Sequence, residues 1–206
     1  MVNTLAAAGL ISLAACTPSG QAPRVAPSPT AVTVPADTNR AGYTAADVEF
    51  MQGMIGHHAQ ALEMTGLVAG RAASPGVRLL AERIQVSQKD EITRMQNWLR
   101  VRGEQVPCVE PGHQHDDMAA HLMMPGMATP AQMAQLAAAS GNAFDRLFLE
   151  LMIRHHQGAL RMVADLFAAP RPAQEPEFFQ MANDVDADQR AEVARMEALL
   201  ATLPAS

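Results

Sequence analysis

The chain has 206 residues, room for one domain of ordinary size with its own core and a tail. Net charge is −6, and the 15 basic residues are dispersed along the sequence, which excludes a basic nucleic-acid-binding face. Aromatics are only 4%, while methionine reaches 14 beside 7 His and a single lysine, Lys89, so Ala, Leu, Val, Ile and Met must fill the core.

The first element in chain order is an apolar run from Leu5 to Ala15 that closes on Ser12-Leu13-Ala14-Ala15-Cys16. It is shorter than the roughly 20 apolar residues that span a bilayer, and it has the length and small terminal residues of a signal-peptide core. Residues 1–16 therefore resemble a lipoprotein signal segment, with Cys16 as the lipidated residue, although no Lys or Arg precedes Arg24. The expected address is extracytoplasmic, with a membrane contact through the lipid on Cys16. Residues 17–42 carry Pro18, Pro23, Pro27, Pro29 and Pro35 among Ser, Thr and Ala, with no apolar period, and read as a disordered tether. With Cys16 lipidated, Cys108 is left without a sulfur partner.

The folded domain is expected over 43–204, and an internal repeat organises it. At an offset of 98, the stretch from Asp47 to His57-His58 matches the stretch from Asp145 to His155-His156, continuing through Ala61-Leu62 onto Ala159-Leu160. After a three-residue insertion, Gln88, Glu91-Ile92 and Met95 match Gln189, Glu192-Val193 and Met196. Repeat one spans 44–102 and repeat two 129–203, with a connector at 103–128. Thr44 with Asp47 predicts a capping box opening a helix over about 45–70. Ser74-Pro75 opens a second over about 75–102, closed by Gly103. Thr129-Pro130 with Gln132 opens a short helix, a longer one runs over about 142–168, and Pro176 opens the last. No strand signal is present. Two hairpins of long helices predict an all-α, antiparallel four-helix bundle.

Val48, Met51, Ile55, His58, Leu62 and Thr65 repeat at heptad spacing, and a neighbouring stripe carries Phe50, Met54, His57, Ala61 and Met64. The third long helix repeats this with Met152, His155, His156 and Met162. Each hairpin thus sets a double His and a preceding Met opposite a Gln in one polar layer. Such a layer serves either as a register-fixing hydrogen-bond network or as a metal site. Imidazole suits copper, zinc and iron, and thioether selects Cu(I) or Ag(I). The candidate ligands are His57, His58, Met54 and Met64 in copy one and His155, His156, Met152 and Met162 in copy two. Gln88, Glu91, Gln189 and Glu192 are candidates to orient the rings. The only Glu-x-x-His, Glu110-Pro111-Gly112-His113, falls in a loop, which argues against a di-iron centre.

The connector adds Cys108, His113, His115, Met118, His121, Met123, Met124 and Met127 in a Gly- and Pro-rich setting. It reads as a soft-metal ligand tract or as a loop whose methionines plug one end of the domain.

The two stretches Met51-x-x-Met54-Ile55-x-His57-His58-x-x-Ala61-Leu62-x-Met64 and Leu151-Met152-Ile153-x-His155-His156-x-x-Ala159-Leu160-x-Met162 resemble the family called domain of unknown function 305. So do Gln88-x-x-Glu91-Ile92-x-x-Met95 and the Pro125-Gly126-Met127 to Met133 segment. The resemblance covers about residues 43–203. It implies a ferritin-like four-helix bundle, secreted or periplasmic, with members linked to copper and silver binding and tolerance. It carries a ligand role to the two His pairs and to Met54 and Met152. Gly56 is replaced by Arg154 and Gln52 by Glu150, so the two halves are not identical.

The expected function is extracytoplasmic binding and buffering of copper ion, as Cu(I), with Cu(II) and Ag(I) as alternatives. No nucleophile–base pair, phosphate loop or paired carboxylates are visible, so an enzyme is not expected. The competing readings are a copper-dependent oxidase and a metal-free interaction module with structural His. Homo-oligomerisation is left open.

Overall fold

The computed structural model describes residues 42–108, 124–169, 173 and 175–204, and these hold five helices and no strand. They are α1 (Ala45–Gly66), α2 (Pro75–Val101), α3 (Pro130–Ala138), α4 (Gly141–Ala168) and α5 (Pro176–Leu200). Cys16, His113, His115, Met118, His121 and Met123 lie outside the described residues. No described helix is long and apolar enough to cross a membrane.

Local sequence explains the helix ends. The Thr44 hydroxyl accepts from the Asp47 N–H at 3.2 Å while the Asp47 carboxylate accepts from the Thr44 N–H at 2.9 Å, closing the expected capping box. Ser74 caps α2 ahead of Pro75, and Thr129 with Gln132 boxes the start of α3. One expectation shifts: α1 stops at Gly66 rather than near Gly70. The chain unwinds from Leu67 and reverses at Gly70, whose φ of 77° only glycine adopts without cost.

Helix α1 packs on α2 and α4 on α5, with further contacts between α1 and α4 and between α2 and α5. The apolar interior falls into two clusters. One joins Met51 and Ile55 of α1, Met95 and Leu99 of α2, Val163 of α4 and Phe178 of α5. The other joins Ala61 and Met64, Val77 and Ile84, Phe148 and Met152, and Met196. Along each long helix the two clusters are separated by polar residues: His57 and His58, Gln88 and Glu91, His155 and His156, Gln189 and Glu192.

Two buried aspartates tie the copies together crosswise. Asp47, in copy one, accepts from the N–H of Ala173 at 3.1 Å, in the turn between α4 and α5. Asp145, its counterpart, accepts from the N–H of Ser74 at 2.7 Å, in the turn between α1 and α2. Ala173 holds φ 46°, a left-handed conformation that costs an L-residue about 1–2 kcal/mol. The Asp47 bond helps hold that turn in place.

Candidate metal centre

Four histidines lie fully inside the protein, none more than 1% exposed. Each directs Nε2 at an oxygen. His57 Nε2–H donates to the Pro125 carbonyl at 2.9 Å, and His155 Nε2–H donates to the His57 carbonyl at 3.0 Å. His58 Nε2 meets the Glu91 carboxylate at 2.5 Å, and His156 Nε2 meets Glu192 at 2.7 Å. A carbonyl or carboxylate can only accept, so the neutral ring carries its proton on Nε2 and leaves Nδ1 as a lone pair. All four Nδ1 atoms are buried and have no hydrogen-bond partner among the described residues. The amide N and O of both Gln88 and Gln189 are likewise buried and unpartnered.

The His57 and His155 rings face each other across the copies, with centroids 3.8 Å apart and planes inclined by 37°. Burial, and then the neighbouring His58 and His156 rings, lower the pKa of His57 from 6.5 to about 3, against the opposing pull of the Pro125 carbonyl. His155 is pushed well below the usual range by burial and next by His57. Both rings are therefore neutral, the form that binds metal.

Met54 and Met152 are fully buried, one in each apolar cluster flanking the layer. Met64 is fully buried among the second cluster. Met162 is only partly buried, and its Cε lies 3.6 Å from where a Cβ on Gly53 would stand, beside the Met124 sulfur at 3.5 Å. The structure thus groups Met162 with Met124. Met127 is partly buried after the Pro125-Gly126 turn, and Cys108 is exposed and forms no disulfide among the described residues. Among the described residues, no three His, Cys, Asp or Glu converge as a ready metal cage.

Residues 124–128 form a wedge against the His57 side of the layer. A Cβ on Gly158 would stand 1.9 Å from the Pro125 oxygen, and one on Gly126 would stand 2.4 Å from the Arg154 oxygen. Gly126 also holds φ 78°. The Gln60 amide grips the backbone of Ala128 twice, donating to its carbonyl at 2.9 Å and accepting from its N–H at 2.7 Å. On the opposite side, Glu91 and Glu192 line a groove between α2 and α5. Asp188, in the same groove, has its carboxyl raised above the usual range by partial burial, and then by Glu91 and Glu192.

The model of the family described as domain of unknown function 305 (DUF305) matches residues 47–200. The chain belongs to this family. Among solved structures, it is similar to a DUF305 fragment from Deinococcus radiodurans at 35% identity and a TM-score of 0.67, covering 79% of this chain and 100% of that one. A putative secreted DUF305 protein from Streptomyces coelicolor is 30% identical with a TM-score of 0.64, covering 76% and 92%. CopM in its Cu(II)-bound form is 28% identical with a TM-score of 0.59, covering 75% and 95%, and CopM is also solved in Cu(I)- and Ag-bound forms. No curated protein matches the chain.

Two features of this DUF305 fold, outside the ligand set, escape a reading by periodicity. Gln60 and Gly158 occupy the same position of the two copies, yet one clamps the connector by hydrogen bonds and the other receives it by having no side chain. The available signal was Gly158 itself, a glycine inside a helix that costs about 1 kcal/mol relative to alanine unless packing requires it. The crosswise role of Asp47 was hidden because its capping box explains the aspartate locally, and that of Asp145 because its partner, the Ser74 N–H, is 71 residues away.

Proposed function

We propose that this DUF305 protein binds and buffers copper, as Cu(I), and accepts Ag(I) and Cu(II) at the same layer. The observation that carries this reading is the set of four buried Nδ1 atoms without a hydrogen-bond partner among the described residues, each on a ring fixed by an oxygen at Nε2. That is how metal-ligating histidines are oriented by their outer partners. A purely structural layer would leave these four atoms and two whole amides unsatisfied, at about 1–3 kcal/mol each. Similarity to CopM, which is solved with copper and silver bound, supports the choice of metal. Among the described residues no three hard or imidazole donors form a cage by themselves; in this reading the buried thioethers of Met54 and Met152 complete the donor set, and soft sulfur favours the monovalent ions.

In this reading the four long helices form an antiparallel, ferritin-like bundle with the layer at mid-height. Cys16 carries the lipid, the tether 17–42 holds the domain off an extracytoplasmic membrane face, and His113, His115, His121, Met118 and Met123 supply secondary, exchangeable ligands. The role is binding rather than turnover.

Anaerobic titration of the protein with Cu(I) against a chromogenic chelator tests the assignment. Replacing His57, His58, His155 and His156 together by Ala is expected to remove the tightest copper, measured as a loss of at least tenfold in affinity. Unchanged affinity in a folded variant would mean that the layer is not the site.

A further inference from the structure

The histidine layer runs through the protein from one face to the other, and its two faces are closed differently. On the α1–α4 face the barrier is backbone: the Pro125-Gly126 turn is wedged on Gly158 and held by both ends of the Gln60 amide. Opening it means undocking a segment of chain. On the α2–α5 face the barrier is two side chains. Glu91 and Glu192 stand between the His58 and His156 rings and a surface groove of about 610 Å³. Both carboxylates line this one groove, so the two copies share a single mouth.

The groove is also charged to receive a cation. Five carboxylates line it against three guanidiniums, and negative charge concentrates where Asp188 lies against Glu91 and Glu192. The second oxygen of Glu91, Oε1, is buried and has no hydrogen-bond partner among the described residues, and Glu91 itself is only 3% exposed. A carboxylate with one oxygen on His58 and the other unpaired at the floor of an acidic groove can take a cation on that free oxygen. Turning about its side-chain bonds then passes the ion inward. Such a rotation moves one side chain, whereas opening the other face displaces a docked turn of the main chain.

We propose that soft cations reach and leave the buried histidines through the α2–α5 groove, with Glu91 and Glu192 as the swinging groups at its floor. This rests on the copper-binding reading above. The groove attracts and conducts the ion and the layer retains it, since carboxylates bind Cu(I) poorly beside imidazole and thioether.

Release measures the route, because an ion leaves by the path it enters. Protein loaded with Cu(I) is mixed anaerobically with excess bicinchoninate, and the absorbance of the copper complex gives the escape rate at saturating chelator. Ser87→Trp on the α2 wall and Asp188→Trp on the α5 wall obstruct the groove without touching the histidines. With helical circular dichroism intact, each is expected to slow escape at least tenfold, while Gln60→Ala, which loosens the opposite face, stays within twofold of the parent. Less than tenfold slowing in both folded groove variants overturns the proposal, as does faster escape beyond twofold in Gln60→Ala. If the quadruple His→Ala variant retains the parent's copper, the binding site itself is misassigned and the route falls with it. Histidine-dependent copper with no groove effect sinks the route alone.

Discussion

His57 and His155 are two buried imidazoles with ring centroids 3.8 Å apart, each N–H committed to a carbonyl. A proton added to either would place a buried cation against its neighbour, which is why both pKa values are lowered. In the unfolded chain the same rings titrate near 6.5. Between that value and the folded one, about 3 for His57, the unfolded state binds more protons. Stability is thus complete above pH 6.5 and falls as pH drops through the window, by up to about 1.4 kcal/mol per pH unit for each ring. Urea denaturation of the metal-free protein at pH 7.5, 5.5 and 4.5 should show this decline, and His57→Gln with His155→Gln should flatten it. A parent profile already flat over that range would contradict the assignment. The histidines themselves were legible in the sequence because a doubled His-His at matched positions is hard to explain by chance. Which nitrogen is free was not, since it depends on oxygens from Pro125, Glu91 and Glu192 that only the fold brings near.

Helix α4 illustrates what an element can hide. Its apolar and histidine positions follow from helical spacing, and its start and end fall within a residue of expectation. Gly158, in its middle, contributes nothing to that spacing, yet it is where the connector lands. A methyl group there would overlap the Pro125 oxygen, so Gly158→Ala must push the turn away or bend the helix. Overpacking of this kind costs typically 1–3 kcal/mol, against a gain of about 1 kcal/mol from helix propensity. The expected net result is a loss of up to about 2 kcal/mol, seen as a lower urea midpoint; a stabilised variant would show that the turn is not seated there. Helix α1 gives the complementary lesson. Its opening was readable from Thr44 and Asp47, whereas its end at Gly66 was not, because residues 67–70 continue an acceptable helical composition and the turn to Ser74 is fixed by Asp145 from the other copy.

Across the whole molecule, the duplicated hairpins do not fold as neighbours that merely touch. Each depends on the other for a buried hydrogen bond at its turn, through Asp47 to Ala173 and Asp145 to Ser74. The two bonds sit at opposite apolar clusters, and α1 alone spans about 33 Å at 1.5 Å per residue. Asp47→Ala and Asp145→Ala should each cost about 1–3 kcal/mol, and at that separation the losses should add in the double variant. Equilibrium denaturation of the three variants measures this, and a double variant no worse than either single one would mean that the two ties act as one. At this scale the sequence was most informative where the repeat operates and least where it is broken. Four long helices and a polar layer between apolar blocks follow from matched copies. The connector, which occurs once, had no second copy to be read against, and its Pro125-Gly126 turn gave no sign that it would supply the partner of His57.

The direction of the ring N–H groups sets how the protein relates to the acidity around it. An ion arriving at Nδ1 of His57 or His155 displaces no proton and breaks no hydrogen bond, because the proton is already on Nε2 and the carbonyl already holds it. Metal uptake ordinarily competes with protons for its ligands. Here folding has settled that competition in advance, so on the copper-binding reading proposed above these two rings would hold an ion with little regard to the pH of the medium, down to the acidity at which the fold itself begins to fail.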